Sequence, residues 1–209
     1  MKRRHRGGAT GTHSSRSRRT IALLLTSTLA AIGSLVVAMS STPAQAASGC
    51  AGYRGPYWFA ALDATMDTGQ RKVLAVEPPR TSGAHSYIWG YNGELGQKWC
   101  LERFYEPVPD VVMYRFRLAE ENRYCLGGSA TSGAWLSLRL CTASGTMKFR
   151  QYTVSNNYDD PIDDINYQKY RFKLWPSETL CLDVYNGDSA NGTHVILWTC
   201  NGLNNQNWY

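Results

Sequence analysis

Near its end the chain reads Leu180-Cys181-Leu182-Asp183-Val184, then Asn191-Gly192-Thr193, then Ile196-Leu197-Trp198-Thr199-Cys200-Asn201-Gly202, and last Asn205-Gln206-Asn207-Trp208. Much of this stretch recurs upstream. Ile88-Trp89-Gly90-Tyr91-Asn92-Gly93 aligns with Leu197 to Gly202, and Gln97-Lys98-Trp99 aligns with Gln206-Asn207-Trp208. The spacing from Trp89 to Trp99 equals that from Trp198 to Trp208, ten residues. Val73-Leu74-Ala75-Val76 takes the place of Cys181-Leu182-Asp183-Val184. A worn copy lies between the two, with Cys125-Leu126-Gly127-Gly128, Leu138-Arg139-Leu140-Cys141 and Met147-Lys148-Phe149 at the matching places. Three copies at a period of about fifty residues call for a fold with threefold pseudosymmetry.

Residues 1–46 read as an export signal. Seven Lys or Arg and no acid fall within 1–19, an apolar run follows from Ile21 to Met39, and Pro43-Ala44-Gln45-Ala46 has the form of a cleavage site. An uncleaved anchor is the alternative, since the run is nearly long enough to span a bilayer. Ser17-Arg18-Arg19-Thr20-Ile21 weakly resembles a twin-arginine signal; disulfide formation after export favours the general route. Setting the signal aside changes the charge balance. The chain has 22 basic and 16 acidic residues, so loss of the seven leaves 15 basic against 16 acidic. The basic balance belongs to the signal and gives no reason to expect a nucleic-acid partner, nor a membrane partner once the signal is cleaved.

The remaining residues suffice for one domain with a real core. All six cysteines lie there, which in an exported chain points to disulfides, although sequence alone leaves their connectivity open. His85 and His194 are too few and too distant in sequence for a zinc site, and no cofactor or metal is expected. Asp159, Asp160, Asp163 and Asp164 lack the alternation of a calcium loop and read as a solvated acidic loop. There is no nucleophile elbow, phosphate loop or plausible Ser-His-Asp order.

Short apolar, aromatic and β-branched runs alternate with Gly, Asn, Asp and Ser turns, so the expected class is all-β. Val111 to Leu118 and Tyr170 to Leu174 alternate with period two in part, and no segment has a convincing helical period. Segments 101–124 and 150–170 are taken as long loops.

The Gln-x-Trp motifs, the Cys-Leu-Asp-Val segment and the Leu-Trp-x-Cys segment resemble the ricin B-chain type lectin family. The likeness covers essentially residues 70–209, with repeats at about 70–105, 111–155 and 170–209, and 47–69 forming an N-terminal strand or extension. The resemblance implies a β-trefoil of twelve strands with Trp99, Phe149 and Trp208 in the core, and carbohydrate binding without catalysis. It also implies disulfides Cys181–Cys200 and Cys125–Cys141, which leaves Cys50 and Cys100 as the third pair.

In the third repeat the family pattern puts Asp183 as acceptor for ring hydroxyls, where a carboxylate offers several lone pairs and charge-assisted bonds. Trp198 stacks on the apolar sugar face. Asn205 donates and accepts, Ile196 lines the pocket, and Gln206 supports it from behind. The plain alternatives are that Asp183 caps a turn and Trp198 is half-buried packing. His194 reads either as a pocket-edge residue or as a solvated loop histidine. In the first repeat Trp89 and Gln97 are kept, but Ala75 and Gly96 replace the aspartate and the asparagine; Glu77 is a distant substitute. The second repeat has Gly127, Arg139, Thr146 and Met147 at the four places and reads as structural. The expected ligand is an oligosaccharide or polysaccharide of galactose or xylan type. The rival reading is a protein-binding trefoil, such as an inhibitor of an extracellular hydrolase, with the long loops as its contacts.

Overall fold

A computed structural model describes residues 49–105, 112–160, 162–163 and 165–209, apart from the side chains of 156–159 and 166. Residues 1–46, expected above to be an export signal, Val111 and Asp164 lie outside the described residues. The described elements are β1 (Arg54–Tyr57), α1 (Leu62–Thr68), β2 (Lys72–Val76), β3 (Ser86–Gly90), β4 (Trp99–Tyr105), β5 (Val112–Leu118), β6 (Tyr124–Gly127), β7 (Ser137–Leu140), β8 (Phe149–Asp159), β9 (Asn166–Leu174), β10 (Leu180–Val184) and β11 (Val195–Thr199).

The long strands close a barrel. β1 pairs with β4, β4 with β5, β5 with β8 and β8 with β9. The ring is completed by short runs, for Trp208 bridges to Tyr170 and Ala61, and Ala60 and Tyr209 exchange backbone hydrogen bonds of 2.9 and 3.0 Å. The last Gln-x-Trp segment contributes these bridges rather than a full strand, so eleven strands stand among the described residues where twelve are expected.

Three hairpins, β2–β3, β6–β7 and β10–β11, cap one end of the barrel. They are joined in a ring by bridges from His85 to Ser137, Trp135 to Ile196 and Tyr87 to His194. The same bond recurs around this ring: Gly83 donates to the carbonyl of Leu138, Gly133 to that of Leu197, and Gly192 to that of Ile88, at 2.7–2.9 Å. All three glycines have positive φ, between 85° and 97°, which a turn of this shape demands and other residues rarely tolerate. This is the β-trefoil.

Alternation along the strands sends every second side chain inward. The core gathers Leu74, Ile88, Trp99, Phe116, Leu126, Leu138, Phe149, Phe172, Leu182, Leu197 and Trp208, each with no exposed surface. The three positions expected inside, Trp99, Phe149 and Trp208, are all there. The two tryptophans keep their indole N–H satisfied by the carbonyls of Leu74 and Leu182, at 3.0 and 3.2 Å. Disulfides join Cys50 to Cys100, Cys125 to Cys141 and Cys181 to Cys200. In the chain-entropy account, each of the two short loops is worth on the order of 3 kcal/mol.

Three features differ from expectation. Segments 101–124 and 150–170 are not loops: they hold most of the paired arms β4–β5 and β8–β9. Val112 to Leu118 and Tyr170 to Leu174 carry the period-two pattern read above, whereas Arg150 to Ser155 of β8 bury no side chain and so show no apolar period. A helix, α1, occurs where no helical period is visible, because seven residues are too few to display one. It ends at Gly69 in the left-handed region, whose N–H donates to the Thr65 carbonyl. The acidic stretch is not simply solvated. Asp160 is 1% exposed and holds Arg71 at 2.6 Å, while Asp163 takes the same guanidinium at 2.7 Å. Arg71 in turn lies over the ring of Trp58. No helix among the described residues is long and apolar enough to cross a membrane.

Candidate functional site

β10 and β11 pair in register, with Asp183 opposite Ile196 and Cys181 opposite Trp198. Leu182, Val184, Val195 and Leu197 point into the core, so Asp183, Ile196 and Trp198 share the outer face. The 3-10 turn Asn204–Gln206 folds over this face and brings Asn205 and Gln206 to the aspartate. Asn205 Nδ2 donates to both Asp183 oxygens at 3.0 and 3.1 Å, and Gln206 Nε2 donates to Oδ2 at 2.8 Å. Gln206 also donates to the Thr199 carbonyl and accepts from the Asn201 N–H, both at 3.0 Å. That buried amide fixes the turn to the hairpin and the carboxylate to the turn.

Asp183 is 1% exposed. Burial pushes its carboxyl up to about 6, against the pull of the amide donors, which favour the charged form. The aspartate is therefore a costly ion, positioned by amides and with no cation beside it. Above it opens a cleft of about 440 Å³, lined by Asp183, Ile196, Trp198 and Asn205 together with Asp63, Tyr185, Asn186 and Leu203. Trp198 is 43% exposed and presents a ring to the cleft. Its edge rests on Gly133, 3.4 Å from where a Cβ would stand. Asn186 is held in the left-handed region at φ 55°, an uncommon state that Asn tolerates better than most residues.

Gln206 stands behind this cleft, fully buried. His194 is not brought to it: its ring stacks on Trp135 at 3.9 Å, near the centre of the cap. Trp89 and Gln97 lie in a separate cleft of about 270 Å³ on the first repeat. There Gln97 makes the bonds of Gln206, donating to the Gly90 carbonyl and accepting from Asn92 N–H, both at 2.9 Å. Arg80 enters this second cleft, paired with Glu94 and Glu120 at 3.0 and 3.1 Å, and packs on Gly96. In the second repeat the backbone takes the place of the aspartate side chain. Gly128 N–H donates to the Gly145 carbonyl at 2.9 Å, and a Cβ on Gly127 would stand 2.3 Å from that oxygen.

Tyr185, Asn186 and Asp63 are cleft residues that sequence reasoning does not single out. Tyr185 and Asn186 follow Cys-Leu-Asp-Val directly, so proximity is their signal. Asp63 arrives from outside the repeats because Leu62 N–H donates to the Asn207 carbonyl at 3.0 Å and anchors α1 beside the turn. The identical Thr-Ser-Gly-Ala at 81–84 and 131–134 marks the turns that carry Gly83 and Gly133, a repeat signal visible in the sequence.

No family model matches the chain. It is 31% identical over 121 residues to the main hemagglutinin component type C of Clostridium botulinum C phage, a match covering 58% of this chain and 37% of that protein. The chain thus spans little more than a third of the curated relative it matches. Among solved structures, the designed threefold-symmetric protein ThreeFoil superposes with a TM-score of 0.57 at 20% identity, over 74% of this chain and 96% of the design. A Macrolepiota procera ricin B-like lectin in complex with lactose superposes with a TM-score of 0.51 at 16% identity, over 74% of this chain and 92% of the lectin. Likeness at such identities speaks for the fold, and the fold these neighbours share with this chain is the β-trefoil.

Proposed function

We propose that this chain is an exported carbohydrate-binding lectin of the ricin B-chain type, which holds a saccharide without transforming it. The ligand sits in the third-repeat cleft, with Asp183 accepting from adjacent ring hydroxyls and Trp198 under the apolar face. The Asn205 side-chain oxygen, which takes no hydrogen bond among the described residues, is available to a further hydroxyl. The observation that carries this reading is a buried carboxylate without a cation, aimed by two amides beneath an exposed tryptophan. A sugar hydroxyl pair would add donors to those that Asn205 and Gln206 already give this carboxylate. The hemagglutinin relative and the lactose-bound neighbour support a carbohydrate ligand, and galactose or xylan type is the class proposed for it. Residues 1–46 would direct export, consistent with three disulfides.

The test is a tryptophan-fluorescence titration with galactose, lactose, xylo-oligosaccharides and arabino-oligosaccharides, with Asp183→Ala alongside. Saturable binding that falls by at least about a hundredfold in the variant is expected, the loss of a charged hydrogen-bonding group at a buried site. A folded protein that answers no sugar, but retains a protein partner, would move the reading to a protein-binding trefoil. Release of reducing ends from a polysaccharide would make it a hydrolase.

A further inference from the structure

The third-repeat cleft carries a second carboxylate that the lectin reading does not use. Asp63 stands in the first turn of α1, partly buried, with Oδ2 3.7 Å from where a Cβ on Gly187 would sit. An acid in a first helical turn is favoured by the helix dipole. That accounts for its residue type but not for its place on the cleft wall. Asp63 makes no hydrogen bond or ion pair among the described residues. Burial and the neighbouring Asp67 both raise its pKa, so nothing nearby offsets its charge. The lining offers Asp63, Asp183 and the carboxamides of Asn186, Asn201, Asn204 and Asn205, and no lysine, arginine or histidine. The first-repeat cleft differs in kind, because Arg80 occupies it and is itself paired.

A neutral sugar needs acceptors for its hydroxyls, and Asp183 with Asn205 provides them. The Asp63 carboxylate leaves an unpaired negative charge on the cleft wall that a neutral ligand does not meet, whereas an ammonium group pairs with it directly. Resting on the lectin reading of this cleft, we propose that its preferred ligand is a saccharide bearing a free amino group, a 2-amino-2-deoxyhexose unit, whose ammonium faces Asp63. Asp63 is then a specificity-determining residue contributed from outside the three repeats.

The experiment compares each neutral hexose with its amino and N-acetylamino forms, galactose with galactosamine and N-acetylgalactosamine, and glucose with its two counterparts. Affinities are read by fluorescence on the full protein at pH 7 and low salt, for wild type and Asp63→Asn. An amino sugar should bind about tenfold more tightly than its neutral parent, the size of one charge-assisted contact at a partly exposed site. N-acetylation should abolish the gain, and Asp63→Asn should bring the amino-to-neutral ratio to about one. In wild type the ratio should also fall with added salt and with pH raised past the pKa of the amine, which tests the idea without a variant. Equal affinity for amino and neutral forms, or a preference that survives Asp63→Asn, overturns it while leaving the lectin reading intact. Absence of binding to every sugar overturns both.

Discussion

Gln97 and Gln206 make the same two backbone bonds, and Trp99 and Trp208 donate to the same carbonyl position two repeats apart. Above this shared foundation the first and third repeats part. In the third, Asp183 and Asn205 face a cleft beside Trp198. In the first, Ala75 and Gly96 leave room that Arg80 fills, and only Trp89 remains as a platform. The Gln-x-Trp motif therefore reports the hairpin-to-barrel joint. The pocket depends on the residue two after the cysteine position and on the residue before the glutamine.

The largest effect should come from the foundation. Trp99→Ala and Trp208→Ala should each cost about 3–5 kcal/mol in urea unfolding, and by similar amounts, since both rings are fully buried with one satisfied N–H. A large inequality would show that the two joints are not equivalent. Next, Gly127→Ala should destabilise by about 1–3 kcal/mol, because its Cβ meets the Gly145 oxygen and the backbone must shift. A neutral outcome would mean that the second repeat is not closed by this contact.

Acidification comes third. Protonating Asp183 removes the acceptor, so sugar affinity should fall as pH drops through about 6, by about tenfold per unit below it. The folded-state pKa lies above the ordinary 3.8, so the same group costs the ligand-free protein on the order of 3 kcal/mol at neutral pH. That cost is relieved as pH falls from about 6 toward 4. Titrations and unfolding curves at pH 5 and 7 should thus move in opposite senses for this group. The smallest effect is a gain: Ala75→Asp with Arg80→Ala and Gly96→Asn should raise the binding stoichiometry in calorimetry from one toward two, with a weaker second site. Unchanged stoichiometry would show that more than these three residues separates the clefts.

Much of this was legible from one sequence. Repeats and core tryptophans announce themselves because each hairpin and its following turn are local, and Asp183, Trp198 and Asn205 lie within a single repeat. What escaped is what the chain assembles from afar. Asp63 reaches the cleft because the neighbouring Leu62 N–H donates to the Asn207 carbonyl, and Arg80 reaches the first cleft across its own hairpin. Asp160 looks like one member of a polar run until the fold buries it against Arg71. Half of each long arm, in β5 and β9, shows its period in the sequence, but β8 does not, because Arg150 to Ser155 bury no side chain.

The ring of Trp198 leans on Gly133, which belongs to the preceding repeat, and Trp89 lies 3.9 Å from the Cβ position of Gly192, which belongs to the third. Neither of these two repeats props up its own platform. A peptide cut to one repeat would carry every residue of the third-repeat hairpin and still lack the wall behind its tryptophan. Three identical copies of that peptide, arranged in a ring, would each lend the missing wall to a neighbour.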